Sequence, residues 1–182
     1  MRHPVVFSYI VVIASYAALA GSVESGRNAR IRLLFAEIEA GTMQSQHYCG
    51  LVFEDRRFHY EQASRHNGRD INRKIYEGEL SEADWKALTG ILDSKEFQAI
   101  NVPRTVPSLV IQDSHSYTIS VARKNKFQNM EFLDAADRRP YQSQLKPLLR
   151  WWKAFRKNHM AESKASLDAR CSADNTHAVY NQ

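Results

Sequence analysis

Cysteine is the most reactive side-chain type in this 182-residue sequence, and only two are present, Cys49 and Cys171. His47 stands two positions before Cys49, and His59 and Glu61 follow soon after it. A neighbouring histidine can take the proton of a cysteine and leave a nucleophilic thiolate. These residues are therefore the candidate group for a small hydrolase or thiol-dependent enzyme. The hypothesis requires Cys49 to be a free, accessible thiol.

The same two cysteines permit a disulfide bond between Cys49 and Cys171. They lie 122 positions apart, and in the chain-entropy model closing a loop of that length is worth ~4–5 kcal/mol. The bond and the free thiol stay as alternatives at this point. A metal site is not expected, because no C-x-x-C pair occurs and His47 with Cys49 supply only two ligands at one place. No cofactor is predicted.

Other patterns that could carry catalysis are incomplete. Asp113, Ser114 and His115 have the residue types of a hydrolase triad, but adjacent residues point in different directions and cannot converge. Asp113 and Ser114 are more typical of a hairpin turn. No G-x-S-x-G elbow, G-x-G-x-x-G loop or P-loop is present, so the sequence gives no indication of nucleotide binding.

Several glutamates on predicted strands could form the paired carboxylates of a glycosidase, which stand ~5–10 Å apart. The candidates are Glu37, Glu39, Glu54, Glu61, Glu77 and Glu79. The sequence does not show which of them face one another. Catalytic residues are therefore left unassigned.

A basic helix is predicted over residues 147–159, with Pro147 in its first turn, where a missing N–H costs nothing. Its apolar face is formed by Leu145, Leu148, Trp152, Phe155 and His159, and its basic face by Lys146, Arg150, Lys153 and Lys157. With the neighbouring tryptophans, this face could bind an anionic membrane surface, a nucleic acid or an acidic glycan. We favour the simpler interpretation, in which the apolar face docks on the fold and water solvates the cations.

The N-terminus has the pattern of an export signal. Arg2 precedes an apolar run that ends in Ala18-Leu19-Ala20, a small-x-small cleavage pattern. Ser22 occupies the place where a lipoprotein signal needs cysteine, and no Asn-x-Ser/Thr sequon occurs. We predict a signal peptide over 1–20 and a bacterial protein that is secreted or periplasmic. No membrane span is expected after cleavage, and export argues against a nucleic-acid partner.

The remaining chain predicts one α+β domain. Residues 21–30 form a polar linker, 31–160 the domain and 161–182 a flexible tail. Short alternating runs predict an antiparallel sheet of about five to seven strands, and two helices, one capped by Ser81, pack on one of its faces. Alternation places His59 on the opposite face from Phe58 and Tyr60, which suggests a surface position.

Three segments carry a resemblance to known sequences. They are Cys49–Phe53 leading into Arg57–Glu61, then Tyr76–Ser81, and finally Leu145–Trp152. Together they resemble a set of small exported proteins of soil bacteria, a family without an assigned activity. The resemblance covers about Ile31 to His159 and implies bacterial export and a single domain. It implies no catalytic residue.

These observations predict a non-catalytic binding or scaffolding domain of the cell envelope, with an unknown ligand. The thiol-dependent enzyme and the envelope-binding basic helix are the alternatives. Because loops carry function more often than core positions, the loops around His47, Asn67 and Pro103–Pro107 are the first places to look for a binding surface.

Overall fold

The computed structural model describes residues 30–41, 43–67, 69–102, 115–159, 164–165 and 171. Several sequence predictions lie outside these residues and are not addressed by the structure. They are the signal peptide, the linker up to residue 29, the loop at 103–107, the turn at 113–114 and most of the tail.

The described chain forms an antiparallel sheet with helices, as the α+β prediction expected. Its elements are β1 (Ile31–Ala40), β2 (Gln44–Phe53), β3 (Arg57–His66), β4 (Arg69–Glu79), α1 (Glu82–Leu92), α2 (Lys95–Gln98), β5 (His115–Ala122), β6 (Phe127–Phe132), α3 (Ala135–Arg138), a 3₁₀ turn (Arg139–Tyr141), α4 (Gln142–His159) and β7 (Lys164–Ala165). The sheet order is β6-β5-β1-β2-β3-β4-β7. Strands β1 to β4 form a meander, and β5 and β6 extend the sheet at the β1 edge of that meander.

The main core lies between α1, α4 and one side of the sheet, which we call the front face. Period-two alternation sends Leu33 and Phe35 of β1 to this face, where they are fully buried. Trp152 of α4 stacks on Phe35 with ring centroids 4.4 Å apart. Gly50 permits this approach, because a Cβ atom there would lie 2.7 Å from the Trp152 ring. The predicted docking of α4 by its apolar face is therefore confirmed.

Helix α4 begins earlier than the sequence predicted. It starts at Gln142, so Pro147 lies inside the helix and not in its first turn. The start is displaced because Asp134 caps α3 and the chain then continues through the 3₁₀ turn directly into α4. Proline at this position leaves one backbone carbonyl of the helix without its usual N–H partner. The predicted cap of α1 is confirmed, since Ser81 Oγ accepts from the Asp84 N–H at 3.1 Å.

The opposite side of the sheet, the back face, has a smaller core. Leu34, Ala36 and Leu51 are buried there beside Cys49 and Cys171. Within the segment that was predicted to be a flexible tail, β7 pairs with β4 at the sheet edge, and Cys171 is buried. At these described positions the C-terminal segment is held against the sheet.

Candidate functional site

Cys49 and Cys171 form a disulfide bond, with their Cα atoms 5.7 Å apart. Both residues are buried, and no free cysteine remains in the chain. Cys49 therefore has no thiol with which to attack a substrate. The hypothesis of a thiol-dependent enzyme loses its nucleophile, and the alternative prediction of a disulfide agrees with the structure. Such bonds persist in oxidising compartments, so this one is typical of a protein that works outside the cytoplasm.

His59 is buried on the back face, not exposed as the sequence suggested. Alternation predicted its face correctly, but Cys171 covers this part of the sheet, and its N–H donates to Glu61 Oε1 at 2.6 Å. His59 Nε2 lies 2.9 Å from the same Glu61 oxygen, and Nδ1 lies 2.9 Å from Glu77 Oε1. Arg73 donates to Glu61 Oε2 at 2.8 Å. We call His59, Glu61, Arg73 and Glu77 the back cluster.

The members of the back cluster are hydrogen-bond partners of one another. Glu61 accepts from Arg73 and from the Cys171 N–H, and each ring nitrogen of His59 lies 2.9 Å from a carboxylate oxygen. Buried charges of this kind need such partners, because removal from water is costly. Glu61, which the sequence placed in the candidate enzyme group, is therefore accounted for as part of a closed network.

A second buried network joins the front face to the end of α4. Glu37 is 4 % exposed, and its Oε2 accepts from Trp152 Nε1 at 2.8 Å and from Arg156 at 2.6 Å. Arg156 also donates to Glu39 Oε1 at 3.3 Å and stacks on the Tyr48 ring at 3.3 Å from its centroid. We call Glu37, Glu39, Tyr48, Trp152 and Arg156 the front cluster. It ties α4 to β1 and β2.

Burial and nearby charge shift the pKa values of side chains in and around the front cluster. Burial raises the pKa of the Tyr117 hydroxyl to about 12, and the charge of Glu37 adds to the effect. Burial likewise raises the pKa values of Tyr60 and Tyr48, although Arg156 opposes both shifts. Burial alone would lower the pKa of Arg156, but its anionic neighbours, Glu37 first, raise it above the usual value. Arg156 is thus held as a cation.

The front cluster has the ligand types of a metal site. Glu37, Glu39 and His115 each offer an atom within 4.8 Å of the others, and His115 Nδ1 lies 3.7 Å from Glu37 Oε1. However, Arg156 already bonds both carboxylates and supplies the positive charge between them. The same engagement argues against Glu37 and Glu39 as a glycosidase pair. The structure brings these glutamates together, which the sequence could not show, and their partners indicate a structural role.

The back face also has a shallow depression of about 280 Å³, a volume that includes space open to solvent. It is lined by His47, Glu61, Arg65, Arg73 and the disulfide. Arg65 and Arg73 both bond Asp70, at 2.7 and 2.5 Å, and these hydrogen bonds lower the pKa of Asp70. The arginines are therefore engaged within the fold. His47, which the sequence placed at a loop, lies within β2 and borders this depression.

The basic face of α4 differs from both clusters. Lys146, Arg150, Lys153 and Lys157 are all exposed, and we call them the basic stripe. Helix α4 contains no aspartate or glutamate. Among the described residues, none of the four has an ion pair or a side-chain hydrogen bond. The stripe therefore gathers four cations on one face of a helix without an acidic partner among the described residues. Lys74, Lys95, Lys124 and Lys126 are also exposed without such a partner, but they are spread over β4, α2 and the turn between β5 and β6.

The tryptophans next to the stripe point inward. Trp151 and Trp152 are 8 % and 2 % exposed. The Trp151 indole N–H donates to the Asp84 carbonyl at 3.3 Å, and Trp152 bonds Glu37. They pack in the main core and contribute no ring to the surface. The sequence-based idea of a surface that combines tryptophans with cations is therefore wrong, because only the cations reach solvent.

Sequence reasoning missed the two arginines that close the clusters, Arg73 and Arg156. One signal was available in β1, where the inward alternation of Leu33 and Phe35 continues to Glu37. A glutamate at an inward position needs a cationic partner. The identity of that partner was not predictable, because Arg156 lies 119 residues further along the chain.

No protein-family model matches this chain, and no curated protein matches it. Among the described residues, no helix combines the length and the apolar character needed to cross a membrane.

Proposed function

We propose that this protein is an exported, non-catalytic binding domain of the bacterial cell envelope, and that the basic stripe is its binding surface for anionic envelope material. The observation that carries the proposal is the contrast between compensated and uncompensated charge. The buried carboxylates Glu37 and Glu61 each have an arginine partner within the fold. The four cations of the stripe have no such partner among the described residues.

The requirements of folding do not explain the stripe. Successive members are three or four positions apart, so they are neighbours on the helix surface, and like charges at such spacing cost ~0.2–0.5 kcal/mol per pair. The helix dipole favours cations in the last turn, which accounts for Lys157 but not for Lys146 or Arg150. Polar uncharged residues would expose the same face at lower cost. A ligand with negative charge would turn this cost into binding energy.

The proposed location follows from two independent features. The disulfide is typical of an oxidising compartment, and residues 1–20 have the pattern of a cleaved signal. Intact mass without reductant, measured on protein from fractionated cells, tests this part. We expect a species that begins at Gly21 and is two hydrogens lighter than the reduced chain. A full-length species with both thiols free would contradict it.

The binding proposal is tested with two variants of equal net charge. K146Q/R150Q/K153Q/K157Q removes the stripe, and K74Q/K95Q/K124Q/K126Q removes four other exposed lysines. Both are mixed with bacterial envelope fragments and sedimented at increasing salt. We expect the stripe variant to lose at least tenfold in affinity and the control to stay within twofold of the wild type. Equal losses would mean that net charge alone drives adsorption, which would overturn the proposal.

A further inference from the structure

We infer that the stripe recognises a linear polyanion lying along α4, and not the surface of an anionic bilayer. This inference deepens the proposed function and rests on it. It follows from which side chains accompany the cations at the surface and from the shape of the stripe.

Binding to a bilayer would need apolar side chains beside the cations. Helices that bind bilayers insert a face of Trp, Phe or Leu into the headgroup region. In α4 that face is Leu148, Trp152 and Phe155, and all three are buried against the sheet. The most exposed large apolar residues of the described chain are Met43, Ile71 and Phe127, and none belongs to α4. A bilayer that contacted this face of α4 would therefore find cations but no exposed large apolar side chain to insert.

Binding to single-stranded nucleic acid would need aromatic rings at the surface beside the cations. Proteins that hold single-stranded nucleic acid combine cations with exposed aromatic rings on which bases stack. The rings beside the stripe, Trp151 and Trp152, are turned into the core. Recognition by this surface therefore depends on charge alone. That suits a polymer whose backbone carries an anionic group on each repeat.

The shape of the basic stripe also favours an extended ligand. The stripe is one side chain wide. Lys157 lies eleven residues after Lys146, which at a rise of 1.5 Å per residue makes the stripe about 16 Å long. Three of its members are lysines, whose flexible stems carry point charges that adapt to the spacing of a ligand. A narrow line of adaptable cations matches an extended chain better than a plane of headgroups.

Two quantitative expectations follow. Affinity should rise steeply with polymer length until the chain spans about 16 Å, and then more slowly, because each added contact releases a counterion until the stripe is filled. Four contacts with a flexible polyanion should give a slope of log K against log salt of about −3. Raising salt from 50 to 200 mM would then weaken binding roughly fiftyfold.

The experiment measures binding of the mature protein to three sets of probes by fluorescence anisotropy and sedimentation. They are galacturonate oligomers of graded length, long-chain polyphosphate, and phosphatidylglycerol–phosphatidylcholine vesicles. We expect at least one polymer to bind tenfold more tightly, per anionic group, than the vesicles. The galacturonate and polyphosphate arms show whether carboxylate or phosphate is the preferred anion, and preference for either supports the inference.

The variants defined above separate the possible failures. Polymer binding that is lost in the stripe variant and kept in the lysine control supports the inference. Vesicle binding as tight as polymer binding, also dependent on the stripe, would overturn the linear-polyanion inference and leave the proposed function standing. Absence of stripe-dependent binding to envelope fragments and to every probe would overturn both. A polymer affinity that does not change with length would contradict recognition along the helix.

Discussion

Glu37 and Glu61 are buried on opposite faces of the sheet, whereas the basic stripe lies on the outer side of α4. Each buried carboxylate is matched by an arginine, an N–H donor and further polar groups. The stripe gathers four cations on a helix without an acidic residue. Buried charge in the described structure is thus compensated by partners within the fold. The four cations of the stripe have no described partner, and this is the basis on which an anionic ligand is proposed.

The two buried clusters also differ from each other. In the front cluster, Arg156 reaches Glu37 from a helix 119 residues away, so the ion pair fastens α4 to the sheet. In the back cluster, Arg73 reaches Glu61 from the adjacent strand, and the Cys171 N–H adds a contact from the C-terminal segment. Each carboxylate also accepts an N–H, from Trp152 on Glu37 and from Cys171 on Glu61. The histidine is closer in the back cluster, where His59 lies 2.9 Å from Glu61, than in the front cluster, where His115 lies 3.7 Å from Glu37. The disulfide lies beside the back cluster only.

The largest expected effect is the loss of the disulfide on the back face. C49A/C171A should lower the free energy of unfolding by ~4–5 kcal/mol, because the unfolded chain regains the entropy of a long loop. Urea unfolding with and without a reductant measures it. Reductant should destabilise the wild type to a similar extent and leave C49A/C171A unchanged. An unchanged wild-type midpoint under reducing conditions would contradict the bond.

The next effect tests the difference between the two clusters. R156M should cost ~3–5 kcal/mol, because Glu37 would stay buried without its cation. R73M should cost only ~1–2 kcal/mol, since Glu61 keeps His59 and the Cys171 N–H. Urea unfolding of both variants gives the comparison, and E37Q/R156M should recover part of the loss. Equal costs for R156M and R73M would show that the clusters do not differ as described.

A smaller effect is expected at alkaline pH from Tyr117, a neighbour of the front cluster. The Tyr117 pKa is raised to about 12, against about 10 in an unfolded chain, so folding favours the protonated hydroxyl. Its contribution to stability is complete below pH 10 and is lost as pH rises towards 12. Phenolate absorbance should rise later in native than in urea-denatured protein, and Y117F should weaken the dependence of stability on pH in this window. Coincident titration curves would contradict the burial.

The smallest effect on stability is expected from the stripe. The free energy of unfolding of K146Q/R150Q/K153Q/K157Q should be higher than that of the wild type, by no more than ~1 kcal/mol, because three like-charge contacts disappear. Thermal or urea unfolding measures it, with K74Q/K95Q/K124Q/K126Q as the matched control. Destabilisation by several kcal/mol would mean that the stripe supports the fold, and the contrast with the buried clusters would fail.

Much of the fold was predictable from local patterns. Alternation in β3 placed His59 and Phe58 on the correct faces, and Ser81 identified the start of α1. The spacing of Leu148, Trp152 and Phe155 identified the docked face of α4. The start of α4 was predicted wrongly, because Pro147 suits a first turn by local rules and the preceding helical turns displaced it. Such boundaries depend on neighbouring segments.

The candidate sites were less predictable. All members of the basic stripe were found from helical spacing alone, since i, i+4 and i+7 positions share a face whatever the rest of the chain does. The exposure of His59 was predicted wrongly. His59 is 1 % exposed and lies between Glu61 and Glu77, and the Cys171 N–H, from far along the chain, bonds the same Glu61 oxygen. The burial of Trp152 was predicted from its place on the apolar face of α4, whereas the burial of Trp151 required the packed structure.

The sequence by itself determined the period-two and period-3.6 patterns, and with them the fold class, the faces and the charge of α4. These properties follow from local backbone geometry and need no knowledge of distant residues. Only the tertiary structure decided that Cys49 bonds Cys171, that Arg156 bonds Glu37, and that Trp151 is buried. Pairings over 119 and 122 positions depend on how the whole chain packs, and local preference carries no information about them.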